Sequence, residues 1–154
     1  MTSKDTPIYQ EYVEGPEYTV NMLSNYNGKV VGAVPIRRLV VHSGLSVLCK
    51  SEWYPAVEEI ARDTAEALEL VGPSNVQVIV NKNTKKPVVI EVNPRFASGS
   101  LPTAILSGLN IPLLILELLQ GNNIKQPSIK YGARIARYWN WQEIKSQVGG
   151  KSDD

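Results

Sequence analysis

Apolar and polar positions alternate from Tyr18 to Leu23. Tyr18, Val20 and Met22 stand against Thr19 and Asn21, and a period of two places the first set on one face of a strand. Asn27-Gly28 follows, a pair that accepts the positive φ of a tight turn. Lys29 to Val34 then returns as the second arm of a hairpin, which is expected to run past Pro35 to Val41. Ahead of the hairpin, Ile8 to Val13 carries two tyrosines and a valine and stops at Glu14-Gly15-Pro16, the pattern of a short strand and a turn. His42 to Pro55 shows no period and contains Gly44, so it reads as a loop.

At Ala56 the period changes. Val57, Ile60, Ala61, Ala65, Leu68 and Val71 fall at helical spacing, with Glu58, Glu59, Arg62, Asp63 and Glu66 mostly outside that stripe, and Gly72-Pro73 supplies a helix stop. Two strands are predicted next, Asn75 to Asn81 and Pro87 to Asn93, joined by the polar turn Lys82 to Lys86. A helical pair, Leu101 to Ser107 and Pro112 to Leu119, ends at Gly108 and Gly121. Alternation of Ile129, Tyr131, Ala133 and Ile135 then marks a last strand within Ser128 to Asn140. No segment repeats another. The elements add up to an α+β fold, a largely antiparallel sheet with helices on one face. Residues 8–144 are expected to form this single unit, residues 1–7 to be disordered or foreign to it, and residues 145–154 to be a frayed polar tail.

A chain of 154 residues can bury roughly two-thirds of the surface exposed by its unfolded form, so one core is expected. Sixteen Lys and Arg stand against 15 Asp and Glu, a balance that gives no electrostatic footprint for a nucleic-acid backbone. Cys49 is the single cysteine, which excludes an internal disulfide and a multi-cysteine zinc site and reads as an inert, partly buried thiol of a reducing compartment. Lys4 and Asp5 interrupt the N-terminus where a leader would need an apolar run, so a cytoplasmic location is expected. The longest apolar stretch, Ile111 to Leu119, contains Pro112 and Glu117 and falls short of the ~20 residues that span a bilayer, so no membrane role is implied.

The second hairpin carries the candidate chemistry. Val76, Val78 and Val80 share one face of their strand, and Asn75, Gln77 and Ile79 the other. On the partner strand Val88, Ile90 and Val92 face one way, and Val89, Glu91 and Asn93 the other. A turn centred near Thr84 puts Gln77 across from Glu91, with Asn93 two residues on along the same face. A carboxylate and two amide carbonyls about 5 to 7 Å apart suit a hard cation such as magnesium, held jointly with phosphate oxygens. Spacing alone leaves a second reading open, in which Glu91 and Asn93 line a solvated sheet face beside a loop.

The string Val89-Ile90-Glu91-Val92-Asn93-Pro94-Arg95-Phe96, with Asn75-Val76-Gln77 before it and Gln10 to Tyr18 at the start, resembles the ATP-grasp superfamily. The likeness is to its carbamoyl phosphate synthetase-like branch, whose members form acyl phosphates from ATP and a carboxylate, and it covers about Ile8 to Gly121. The resemblance implies ATP and one or two magnesium (or manganese) ions at Gln77, Glu91 and Asn93, with Arg95 neutralising the transferred phosphate. It also implies that Glu11 and Val13 meet the adenine edge through their backbone and that Glu17 takes the ribose hydroxyls. His42 falls where relatives place a histidine near the nucleotide, or is a loop histidine bonded for packing. Arg37 and Arg38 resemble an arginine-bearing stretch near the acceptor pocket, although as bare sequence they read as a solvated pair.

The likeness also implies a phosphate-covering glycine-rich loop with lysines before the hinge strand, and no such loop precedes Gly15. The expectation is therefore half of a nucleotide cleft, from a truncated form, a gene remnant or one part of a split enzyme. Its partners would be ATP, a small carboxylate or bicarbonate, and either the absent N-terminal subdomain or a second copy. The implied activity is that of an ATP-dependent ligase joining a carboxylate to an amine or ammonia, weak or absent in this chain alone. A non-catalytic remnant serving as a binding or assembly module is the alternative. Tyr138, Trp139 and Trp141 read as packing anchors, and Ser98 and Ser100 in Phe96 to Ser100 as a loop that admits a ligand close to backbone.

Overall fold

A computed structural model of the chain describes residues 7–138. Six strands are found there: β1 (Glu17–Ser24), β2 (Val30–His42), β3 (Leu45–Ser51), β4 (Gly72–Val80), β5 (Pro87–Asn93) and β6 (Arg134–Ala136). They form one sheet in the order β5-β4-β1-β2-β3-β6, antiparallel at every pairing. Three helices pack on it, α1 (Pro55–Ala67), α2 (Leu101–Leu106) and α3 (Ile111–Leu119). The first hairpin closes as expected. Asn25 Oδ1 accepts from the backbone N–H of Asn27 and Lys29 at 3.0 Å, and Gly28 takes the positive φ of 73°.

The α+β class and the antiparallel sheet are those expected, but the helices divide between the two faces. Cross-strand partners share a face, so Tyr18, Val20 and Met22 of β1 lie with Val78 and Val76 of β4 and pack against Val57, Ala61 and Ala65 of α1. The intervening residues Leu23, Val34 and Ile36 look the other way and meet Ala104, Leu109 and Ile111 around α2 and α3. β2 is apolar on both faces, with Val30 and Ala33 in the α1 core and Val34 and Ile36 in the other, which a one-sided reading misses. Each face gains about 2 kcal/mol per fully buried Val, Leu or Ile.

Four local expectations are corrected. Ile8 to Val13 forms no strand: its apolar side chains have no neighbouring strand, and Ile8, Tyr9 and Tyr12 are exposed. Within the expected loop from His42 to Pro55 runs β3, an interior strand paired to β2 and β6, with apolar residues at both parities that hide its period. The helix expected to reach Val71 ends at Ala67, because Glu69 takes a left-handed φ of 51° while Leu70 N–H bonds to Ala65 O and Glu69 N–H to Glu66 O, each at 3.0 Å. Those are the two bonds of a Schellman stop, and they release Gly72 and Pro73 to begin β4. The last strand is only three residues long, at the sheet edge. Trp139, Trp141, the far end of the expected strand at Asn140, residues 1–6 and the tail 145–154 lie outside the described residues.

Among the described residues no helix is long and apolar enough to cross a membrane. Cys49 is a free thiol and more deeply buried than expected, in the core beside α2.

Candidate functional site

The site is built on the sheet face opposite α1. Gln77 of β4 is paired directly with Glu91 of β5, and Asn75 with Asn93, as the turn symmetry predicts. Beyond Gln77 the register slips by one: Val78 faces Val89, and Ile90 is the extra residue of a β-bulge. The bulge corrects the strand faces assigned to Val88, Val89 and Ile90, since Val89 now joins Val92 against the α1 core. It leaves Glu91 and Asn93 on the side of Gln77.

Gln77 Nε2 donates to Glu91 Oε2 at 2.9 Å, and Asn93 Nδ2 lies 3.4 Å from Asn75 Oδ1. Asn75 Nδ2 in turn bonds to the carbonyl of Arg95 at 3.0 Å, which ties the turn after β5 to the sheet. Glu91 is exposed and Asn93 half-buried. The carboxylate of Glu91 and the side-chain oxygen of Asn93 are hard donors on one face, a set that fits a small divalent cation with room for further oxygens from a ligand.

Asn75, Gln77 and Glu91 border a pocket of about 240 Å³ that is also lined by Thr19, Arg38, Ser46, Arg95 and the Ala97–Ser100 loop, whereas Asn93 is not among its lining residues. Arg95 is exposed and bonds to the carbonyl of Phe96 at 3.1 Å. Two guanidinium groups, one carboxylate, several hydroxyls and a glycine-containing loop make a polar cleft suited to an anionic ligand.

Of the other expected residues, Glu17 is tied to this cluster through Arg38, and Glu11, Val13 and His42 are not among the residues that line the pocket. Glu11 is exposed and Val13 half-buried, in a segment without regular structure that leads into β1. Glu17 opens β1 and is engaged by the guanidinium of Arg38. His42 ends β2, exposed and paired to Leu45, and is not among the residues that line the pocket.

A model of the family described as ATP-grasp in the biosynthetic pathway with Ter operon matches residues 3–140. The chain belongs to this ATP-grasp family. It is similar to the carbamoyl phosphate synthase large chain of Clostridium acetobutylicum, at 27% identity over 146 residues, and to that of Pyrococcus furiosus, at 22% over 171 residues. The alignments take in 89% and 94% of this chain but only 13% and 16% of those proteins. Among solved structures it resembles a biotin carboxylase β-γ-ATP complex from Campylobacter jejuni, with a TM-score of 0.61 at 16% identity over 78% of this chain and 29% of that one. It also resembles Rhizobium etli pyruvate carboxylase, with a TM-score of 0.61 at 19% identity over 77% of this chain and 12% of that one. These likenesses show the fold, that of an ATP-grasp subdomain.

In this ATP-grasp chain the residue that sequence reasoning undervalued is Arg38. Read as half of a solvated pair, its side chain is only 7% exposed. Its Nη1 bonds to Gln77 Oε1 at 3.0 Å, its Nε to Ser46 Oγ at 3.0 Å and its Nη2 to the Gly44 carbonyl at 2.7 Å, besides the contact with Glu17. Arg37 instead points to Glu52, at 3.7 Å. The strand parity would have separated the two arginines, since neighbours in a strand face opposite ways. Asn21 was missed as well: fully buried, it donates to Ser100 Oγ at 2.8 Å and so fastens the loop at the pocket rim to β1.

Proposed function

We propose that this chain supplies the magnesium- and ATP-binding part of a ligase that activates a carboxylate, or bicarbonate, as an acyl phosphate for attack by an amine or ammonia. The observation that carries the reading is the cross-strand pair Gln77 and Glu91 opening, beside Arg95 and Arg38, into a polar pocket, with Asn93 next to them on the same sheet face. Oxygens of Glu91 and Asn93 take magnesium within the cluster that Gln77 completes. The bound ion supplies charge neutralisation for the ATP phosphates.

Arg95, exposed at the pocket wall, is free to move onto the phosphoryl group in transfer, where a guanidinium stabilises spreading negative charge. The carboxylate oxygen attacks the terminal phosphorus and ADP leaves; the amine then adds to the acyl carbon and phosphate leaves. The backbone of Glu11 and Val13 offers a donor and an acceptor to the adenine edge, and Glu17 takes the ribose hydroxyls. His42, outside the pocket, reaches the nucleotide only by movement of the turn at Ser43-Gly44. The cleft closes against an N-terminal ATP-grasp subdomain, and the activity is cytoplasmic. Because positioning supplies much of such catalysis, these residues alone turn ATP over weakly or not at all.

Calorimetry with Mg2+ and ATP tests the reading. The expected result is magnesium-dependent nucleotide binding that Asn93→Ala abolishes without lowering the melting temperature. No binding at millimolar nucleotide by the folded chain would overturn it. One observation favours a different role: Leu106, Leu113, Leu116 and Leu119 expose an apolar stripe along α2 and α3, as a binding or assembly module would. A stable dimer that binds no nucleotide would select that role.

A further inference from the structure

The hydrogen-bond chain Glu17–Arg38–Gln77–Glu91 fixes which way round the Gln77 amide stands. A guanidinium only donates and a carboxylate only accepts, so Oε1 has to face Arg38 and Nε2 has to face Glu91. A divalent ion shared between Gln77 and Glu91 requires the reverse, an amide oxygen on the Glu91 side. Turning the amide over breaks the 3.0 Å bond from Arg38 and the 2.9 Å bond to Glu91 together, and sets Nε2 against the donor-only guanidinium. An ion placed on Oε1 where it now stands would sit against Arg38 itself.

Arg38 is not a side chain that drifts into this position. Four of its N–H groups are engaged, by Glu17, Gln77, Ser46 and Gly44, and its side chain is 7% exposed.

We propose that Arg38 is the resident cation of the Gln77 position, so that the site takes one divalent ion, through Glu91 and Asn93, and Gln77 holds Glu91 in place without ligating metal. The inference rests on the magnesium reading of the previous subsection. It makes Arg38 a positioning residue that replaces an exchangeable ion by a fixed, directional charge, and it makes the metal count of this chain a property of one side chain.

Counting Mn2+ on the full chain, from the electron paramagnetic resonance signal of the free ion, tests the assignment. The wild type is expected to bind one Mn2+, Arg38→Met two, Gln77→Met one and Glu91→Gln none. Two ions on the wild type, or one on a folded Arg38→Met chain, would overturn the role of Arg38 and leave the magnesium reading standing. No ion on the wild type or on Arg38→Met would overturn both. Should Arg38→Met lose its cooperative melting transition, the Gln77→Met count decides: one ion supports the proposal, and none overturns it because Gln77 would then be a ligand.

Discussion

Gln77 and Glu91 stand directly opposite one another on β4 and β5, amide nitrogen to carboxylate oxygen at 2.9 Å, one position before the sheet slips its register at Ile90. A bulge re-aims side chains at the place where it occurs, and here it keeps Glu91 and Asn93 on the pocket side while Val89 returns to the core.

Glu91 is exposed, so its bond to Gln77 contributes little to stability, on the order of 0.5 kcal/mol. Glu91→Gln is therefore expected to lower the melting temperature by no more than a degree or two while weakening magnesium-dependent ATP binding by about tenfold or more, roughly 1.4 kcal/mol. Calorimetry and thermal melts on the same sample check it. Equal affinity in the variant would remove Glu91 from the metal site.

Tyr18 predicts a loss of stability in alkali. Its ring is buried and its hydroxyl donates to Glu52 Oε2 at 3.0 Å; burial first, and then the Glu52 bond and charge, push its pKa from 10.0 up to about 12. Tyr131 is pushed up to about 12 as well, by burial and by the Glu58 carboxylate. A raised pKa means the fold holds the proton more tightly than the unfolded chain does. The contribution is whole below pH 10 and is lost as pH rises towards 12, by about 2 kcal/mol for Tyr18. Urea unfolding at pH 9 and 11.5 should show the fall, and Tyr18→Phe should flatten it. An unchanged slope in that variant would assign the loss elsewhere.

What could be read from the sequence was whatever depends on near neighbours. The pairing of Gln77 with Glu91 follows from strand period and a symmetric turn, and both hold locally. The helices α2 and α3 appear within a residue of the expected bounds because glycine and proline punctuate them. Arg38 was illegible for the opposite reason: its partners Glu17 and Gln77 lie 21 and 39 positions away, and only the pairing of β1 with both β2 and β4 brings them together. Ile8 to Val13 has the composition of a strand, yet a strand requires a partner, and none lies beside it among the described residues.

Glu69→Gly is expected to stabilise the protein. Glu69 is exposed and holds a φ of 51° at the C′ position of α1, where a side chain costs roughly 1 kcal/mol that glycine avoids. After the greater entropy of an unfolded glycine is subtracted, a gain of about 0.5 kcal/mol remains, or a rise of roughly 1–2 °C in melting temperature. A lower melting temperature would show that the Glu69 side chain contributes more than its backbone costs.

Gly15→Ala is expected to detach the segment that leads into β1. A Cβ at Gly15 would lie 1.8 Å from the carbonyl oxygen of Val80 and 2.8 Å from its carbon. Both are backbone atoms, so no rotamer change can relieve the overlap and one chain must move. The bonds on either side, Lys82 N–H to Glu14 O at 2.8 Å and Val80 N–H to Pro16 O at 3.0 Å, are those that would break. Amide exchange at Val80 and Lys82 should accelerate at least about tenfold, with a stability loss of roughly 1–3 kcal/mol. The same bonds tie Glu14 and Pro16, which follow Glu11–Val13 in the chain, to Lys82 and to Val80 at the end of β4, the strand of Gln77. ATP affinity should therefore fall, while Mn2+ binding at Glu91 and Asn93 on the far side of the hairpin stays unchanged. Unchanged protection at Val80 and Lys82 would mean that the segment accommodates the methyl group, and loss of the Mn2+ site would mean that Gly15 supports the whole sheet rather than the segment leading into β1.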